Sequence, residues 1–235
     1  MRTKLTIALS LAAFALAAVA AQAGPVTIAL YRFQSQGDVF SFYKVEGAKC
    51  KAKWRKKKTL GIVVGKKTNA CAYRSSVVAD VQDPGPDQEM AASVNLAVGT
   101  PATIRKKIYM GLAVRESNTT AYELRVFPAA RKWQLIRDGR GSSGTTVLGA
   151  GKGKFIRQGV GVRNQLLLRA FDYGTSSVTL LAIINRKRVI TMKDTGAGAP
   201  NGRRTTLKLG ARGKSLANRA VASFDNVAIR VPDPF

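Results

Sequence analysis

Histidine is missing from all 235 residues. That absence removes imidazole-based nucleophile activation, histidine metal sites and a histidine pH switch together. Acidic residues are scarce, 13 against 39 lysines and arginines, so paired-carboxylate chemistry has few places to reside. Only two cysteines occur, Cys50 and Cys71, too few for a thiolate metal cluster. After residue 23 no apolar run reaches the roughly 20 residues that a membrane-spanning helix needs. No stretch beyond Gly24 carries the apolar period of an amphipathic helix, and neither a P-loop nor a dinucleotide-binding fingerprint occurs.

The first residues are informative. "MRTK" is basic, "LTIALSLAAFALAAVA" is apolar and uncharged, and "AQA" supplies small residues at Ala21 and Ala23. This layout predicts a secretory signal peptide over residues 1–23, cleaved before Gly24; the alternative is an uncleaved N-terminal anchor. The expected product is secreted or extracytoplasmic, without a transmembrane segment. Loss of Arg2 and Lys4 leaves 37 basic residues against 13 acidic ones, a net charge of +24. Residues 24–235 have the length of one large all-β domain. In an oxidising compartment Cys50 and Cys71 read as a disulfide. It would close a loop of about 20 residues and contribute about 3 kcal/mol by restricting the unfolded chain. Two unpaired thiols, or a metal pair, are the alternatives.

Apolar residues alternate with polar ones nearly everywhere, between Gly, Pro, Asn and Asp punctuation. "AYELRVF" sets Tyr122, Leu124 and Val126 on one side, and "KWQLIR" returns with Trp133 and Leu135 aligned to them. "IYMGLAVR" places Leu112 and Val114 inward and Ala113 and Arg115 outward; "QLLLRAF", "VTLLAII", "RVITMKD", "LKLG" and "ASFDNVAIRV" continue the series, with a tight turn at "NRK". About a dozen short strands at this spacing predict an all-β antiparallel sandwich. "KCKAKWRKKK" holds seven cations in ten residues. As a strand and turn it puts Lys49, Lys51, Lys53 and Arg55 on a wet side and Cys50, Ala52 and Trp54 inward. With Lys56, Lys57 and Lys58 it forms a polyanion patch on a meander closed by the disulfide, over residues 49–71. Asp80, Asp83, Asp87 and Glu89 are a natural counterweight to the basic loops.

From Val77 onward the chain resembles the concanavalin A-like lectin/glucanase superfamily, in particular bacterial laminin-G-like jelly rolls. The likeness rests on "MGLAVR", "TAYELRVFPAARKWQLIR", "RNQLLLRAF", "LLAIINRKRVI" and the closing "ASFDNVAIRV", in that order. It implies a two-sheet jelly roll with a glycan-facing surface. "GLAVR" with "YELRV" is similar to paired strands of keto-disaccharide hydrolases, matching Arg115 and Glu123. The laminarinase-like "E-x-D-x-x-E" string does not occur. Asp225 in "FDNVAIRV" matches an aspartate that helps hold a structural calcium in many glucanases of this fold. The alternative is an aspartate that caps a turn or bonds neighbouring amides; no other cofactor is implied.

Alternation assigns Arg115, Glu123, Arg125, Gln134 and Arg169 to a polar face that suits bidentate contact with anionic groups, with Phe127 or Phe171 as stacking rings. Cross-strand salt pairs on a solvated sheet are the plainer reading. Glu116 and Glu123 are separated by a turn, and Asp138 and Asp194 fall at turns, so no pair of carboxylates is evident for glycoside cleavage. The expected function is non-catalytic binding of an anionic polysaccharide or cell-envelope polymer. A hydrolase using Glu123 with a second carboxylate, or a structural matrix protein, are alternatives. Specific nucleic-acid recognition is not expected, since no recognition helix or RNA-binding motif is present.

Overall fold

Alternation becomes strand wherever it was read. The computed structural model describes residues 25–55, 58–76, 87–139, 144–172, 176–212 and 218–231. The predicted leader, Lys56, Lys57, Asp80 and Asp83 lie outside the described residues. In chain order the strands are β1 (Val26–Tyr31), β2 (Phe42–Glu46), β3 (Cys50–Arg55), β4 (Thr59–Val64), β5 (Ala70–Ser75), β6 (Gln88–Leu96), β7 (Ile108–Glu116) and β8 (Thr120–Phe127). They continue with β9 (Lys132–Gly139), β10 (Thr145–Lys152), β11 (Asn164–Phe171), β12 (Val178–Ile184), β13 (Lys187–Asp194), β14 (Arg204–Ala211) and β15 (Ala220–Val231). Helix is confined among the described residues to one four-residue turn, Gly37–Phe40, and two short 3-10 segments.

Two sheets form. The first, sheet A, runs β13-β12-β11-β6-β15-β4-β3 with β1 also on β15; the second, sheet B, runs β10-β9-β8-β7-β14-β5-β2. Every paired strand is antiparallel to its neighbour. This is the jelly-roll sandwich. Its core lies between the sheets: Met90, Val94, Leu166, Leu168, Leu180 and Phe224 from sheet A meet Met110, Leu112, Tyr122, Leu124, Leu135 and Leu207 from sheet B. Each such side chain contributes about 1.5–3 kcal/mol by leaving water. The turn between β12 and β13 holds Asn185 and Arg186 at φ of 49° and 67°, the left-handed pair of a type I′ hairpin.

The opening basic segment departs from a simple meander. β3 and β4 pair in sheet A, but β5 crosses to sheet B and pairs with β14 and β2. The Cys50–Cys71 disulfide, with Cα atoms 5.7 Å apart, therefore ties one sheet to the other. Further ties close the far ends. Tyr122 Oη donates to Asp194 Oδ2 at 2.8 Å, from sheet B to sheet A, and the tyrosine pKa is raised by burial and then by that carboxylate.

Candidate functional site

The outer face of sheet B is built from rows of residues that oppose one another across strands. One row runs Glu46, Ala72, Lys208, Gly111, Arg125, Gln134 and Ala150; beside it Glu123 opposes Ala113 and Ile136. An outer face is ordinarily wet, yet Glu123 is 0% exposed and Lys208 1%. Lys208 Nζ bonds Glu123 Oε2 at 3.1 Å and Asp138 Oδ2 at 3.2 Å. Arg125 Nη2 donates to the same Glu123 oxygen at 2.9 Å. The guanidinium also lies 4.7 Å from the centre of the Tyr109 ring, a cation–π contact.

Two glycines make room for this arrangement. A Cβ on Gly111 would lie 3.0 Å from Glu123 Oε1 and 3.0 Å from the Leu124 carbonyl, and one on Gly210 would lie 2.5 Å from the Tyr109 hydroxyl. Lys208 and Glu123 thus reach each other across β7 over a position with no side chain.

Burial alone would push the Glu123 and Asp138 carboxyls up. Lys208 and Arg125 outweigh it, and both carboxyls sit below their usual range. Burial works against the Lys208 ammonium too, but Glu123 and Asp138 hold its pKa above the usual lysine value. Tyr109 is raised by burial, then by Glu123. All four charged groups are ionised at neutral pH, and Glu123 Oε1, sealed from solvent, has no hydrogen-bond partner among the described residues.

Next to this network lies a cleft of about 320 Å³. Its walls carry Lys106, Lys132, Lys152 and Arg212, with Phe127, Trp133 and Gln134, and among the described residues no carboxylate. Phe127 packs on Tyr109 with ring centres 5.5 Å apart, joining cleft and network.

The predicted ligand-binding residues divide three ways. Glu123, Arg125 and Gln134 share the outer face of sheet B, Gln134 in the cleft wall. Arg169 lies in the other sheet, donating from Nε to Glu89 Oε2 at 2.7 Å, while Arg230 holds the other glutamate oxygen. Arg115 does not face outward. A bulge interrupts the β7–β14 register, and Arg115 takes a left-handed φ of 51°. Its Nη2 contacts Asp87 and Asp172, both at 2.7 Å, beside strands of sheet A. Asp87 and Glu89 thus neutralise arginines of the sandwich itself, not the basic loops. Phe127, expected to be exposed, is 6% so.

On the basic strand Lys51 and Lys53 are exposed and Arg55 is half-buried; Lys49 and Lys58 in the flanking turns are exposed. Trp54 follows the apolar side opposite Leu60. At a sheet edge that side is not covered, so Trp54 is 39% exposed, its indole N–H donating to the Phe33 carbonyl at 2.8 Å. Asp225 accepts from the Asn226 amide at 2.8 Å and pairs with Arg163 at 3.4 Å. No group of three metal-ligating side chains occurs among the described residues. An arginine on the carboxylate is a poor neighbour for a dication, so the Asp225 side-chain set does not fit calcium.

Lys208, Tyr109, Lys106, Lys132, Lys152 and Arg212 are candidate site residues that the sequence does not single out. The signal for Lys208 is its place between Leu207 and Leu209, which as alternation points it outward. It could not show that β14 would lie beside β7.

No protein-family model and no curated protein matches the chain. Solved structures do match in fold. A carbohydrate binding module, CBM66 from Bacillus subtilis, is similar with a TM-score of 0.57 at 13% identity, over 81% of this chain and 95% of that one. Alginate lyase Aly36B gives 0.55 at 12% identity, over 88% and 95%. The carbohydrate recognition domain of Emp46p in its metal-free form gives 0.55 at 7% identity, over 85% and 93%. The chain shares the all-β jelly-roll fold of these structures.

Proposed function

We propose that the chain is an exported, non-catalytic binder of acidic polysaccharide, and that the cleft on sheet B is its binding site. The observation that carries this reading is the lining: four cations and an amide over two buried aromatic rings, with no carboxylate among the described residues. Lysine and arginine would meet carboxylate or sulfate groups, and Gln134 would bond hydroxyls. The fold supports the reading through structures whose names include a carbohydrate binding module and an alginate lyase. A net charge of +24 after loss of the leader would raise the local concentration of any polyanion.

Hydrolysis is the second reading, because Glu123 and Asp138 both touch Lys208 Nζ, at 3.1 and 3.2 Å. Their oxygens are therefore no more than about 6 Å apart, within reach of the roughly 5–9.5 Å used by glycosidases. Binding is favoured over it by protonation. Glycoside cleavage needs one carboxyl held protonated as general acid, whereas both are held ionised here and Lys208 stands between them.

Retention of the chain from Gly24 onward on immobilised polyuronate, at low and high salt, tests the proposal. Binding at low salt, lost in a Lys106→Gln, Lys132→Gln, Lys152→Gln variant, is the expected result. Absence of retention on any acidic polysaccharide at low salt would overturn it. Reducing-sugar release that vanishes in Glu123→Gln would replace it with the hydrolase.

A further inference from the structure

The opposite side of the sandwich carries its own basic relief. Three hollows of about 650, 430 and 550 Å³ lie on the outer face of sheet A. The first shares Arg163 with the second, and the second shares Gln165, Arg186 and Asn226 with the third. They form one groove crossing β3, β4, β15, β6 and β11. At the usual strand spacing those five strands span about 19 Å. Lys53, Arg55, Arg163, Arg157 and Arg186 are spread along it, and among the described residues no carboxylate lines any of the three hollows. Asp225 meets Arg163 from beside the groove at 3.4 Å, whereas Arg157 and Arg186 are exposed and form no ion pair among the described residues. The Trp54 ring leaves this face, standing on the side of β3 opposite Lys53 and Arg55 with its N–H on the Phe33 carbonyl. Asn95, Asn226 and Gln165 interrupt the cations with amides.

Spaced guanidinium groups suit repeated anionic groups, and amides suit hydroxyls. Single-stranded nucleic acid calls instead for successive aromatic platforms, and the described lining offers no such series. The cleft and the groove face away from each other, because they lie on the outer surfaces of two stacked sheets. A single extended chain cannot lie in both. We infer that the groove is a second track for acidic polysaccharide, so that one molecule bridges two polymer chains. This rests on the reading of the cleft given above.

Native mass spectrometry of the chain from Gly24 with a polyuronate hexasaccharide, together with light scattering on long polyuronate, decides the matter. Two hexasaccharides per protein are expected, and one in a groove variant with Arg157→Gln, Arg163→Gln and Arg186→Asn, asparagine being chosen because it tolerates the left-handed turn. One is also expected in the Lys106→Gln, Lys132→Gln, Lys152→Gln cleft variant. Wild type should scatter strongly with long polymer, and either variant about tenfold less, with circular dichroism unchanged. A stoichiometry of one that is lost only in the cleft variant overturns the bridge and leaves the cleft reading standing. No binding by wild type overturns both. A stoichiometry of two that persists in the groove variant overturns the groove. Equal affinity of the groove for single-stranded DNA of matched charge at physiological salt overturns the polysaccharide assignment.

Discussion

Glu89 and Glu123 occupy comparable places on opposite sheets, and their surroundings differ in an instructive way. Each is a glutamate on an outer face, 0% exposed, between two cations. Glu89 gives one oxygen to Arg169 and the other to Arg230, its direct neighbours across β11 and β15. The two arginines remain 26% and 29% exposed. That knot is a local cross-strand ladder, satisfied and open to solvent at its rim. Glu123 instead receives both cations on Oε2, one of them from two strands away, and leaves Oε1 without a partner. The difference is one of reach. A glycine between β8 and β14 lets a lysine cross a whole strand, creating a buried network that sequence neighbours alone could not form. It also makes the two glutamates respond differently to the same insult.

The largest expected effect is from Lys208→Met, which takes the ammonium from the buried Glu123 and the half-buried Asp138; loss of about 3–5 kcal/mol is expected, measured by urea unfolding at pH 7. Glu89→Gln should cost less, about 1–3 kcal/mol, because its arginines can turn to water. Equal losses would erase the distinction. Gly111→Ala sharpens it further: a new methyl 3.0 Å from both Glu123 Oε1 and a backbone carbonyl should cost about 1–3 kcal/mol by overpacking, whereas Ala91→Gly on the other sheet should not disturb Glu89.

Acidity offers another test. The folded Glu123 and Asp138 carboxyls lie below their unfolded values. Their stabilisation is therefore present above about pH 4.3 and lost as pH falls through the folded values. Lys208 is shifted the other way, so its stabilisation is complete below about pH 10.4 and lost as pH rises through its folded value. Wild type should show a plateau between these limits. In Lys208→Met the acid side should flatten, since Glu123 then keeps only Arg125 and Asp138 loses its ammonium partner. Urea midpoints from pH 3 to 11 would show it. Polyuronate retention should stay flat from pH 5 to 9, as no histidine exists to titrate; a step within that range would remove the lysine and arginine account of binding. The smallest effect expected is from Arg163→Gln, within about 0.5 kcal/mol, because that side chain is 55% exposed. Added calcium should leave the melting temperature unchanged, and a rise of several degrees would restore Asp225 as a ligand.

Much of the fold was legible. In "AYELRVF" and "KWQLIR" the inward set Tyr122, Leu124, Val126, Trp133 and Leu135 stands as alternation placed it, because period two follows from the backbone itself. The Cys50–Cys71 pair was legible as a bond, but not as a tie between sheets. Arg115 misled, since a bulge adds one residue and turns its side chain to the other sheet. Trp54 misled because an edge strand has no neighbour to cover its inward side. Of the face read as one site, Glu123, Arg125 and Gln134 came together and Arg169 did not, since strand order across a jelly roll is decided by contacts between segments far apart in the chain.

The sequence by itself determined that this protein would be all-β, basic, free of histidine chemistry and alternating in its burial, because composition and backbone period are local properties. Only the tertiary structure decided that Lys208 would meet Glu123, that the disulfide would join two sheets, and that lysines from distant segments would line one cleft. Those outcomes depend on which strands lie side by side, and that order is set by packing two whole sheets together.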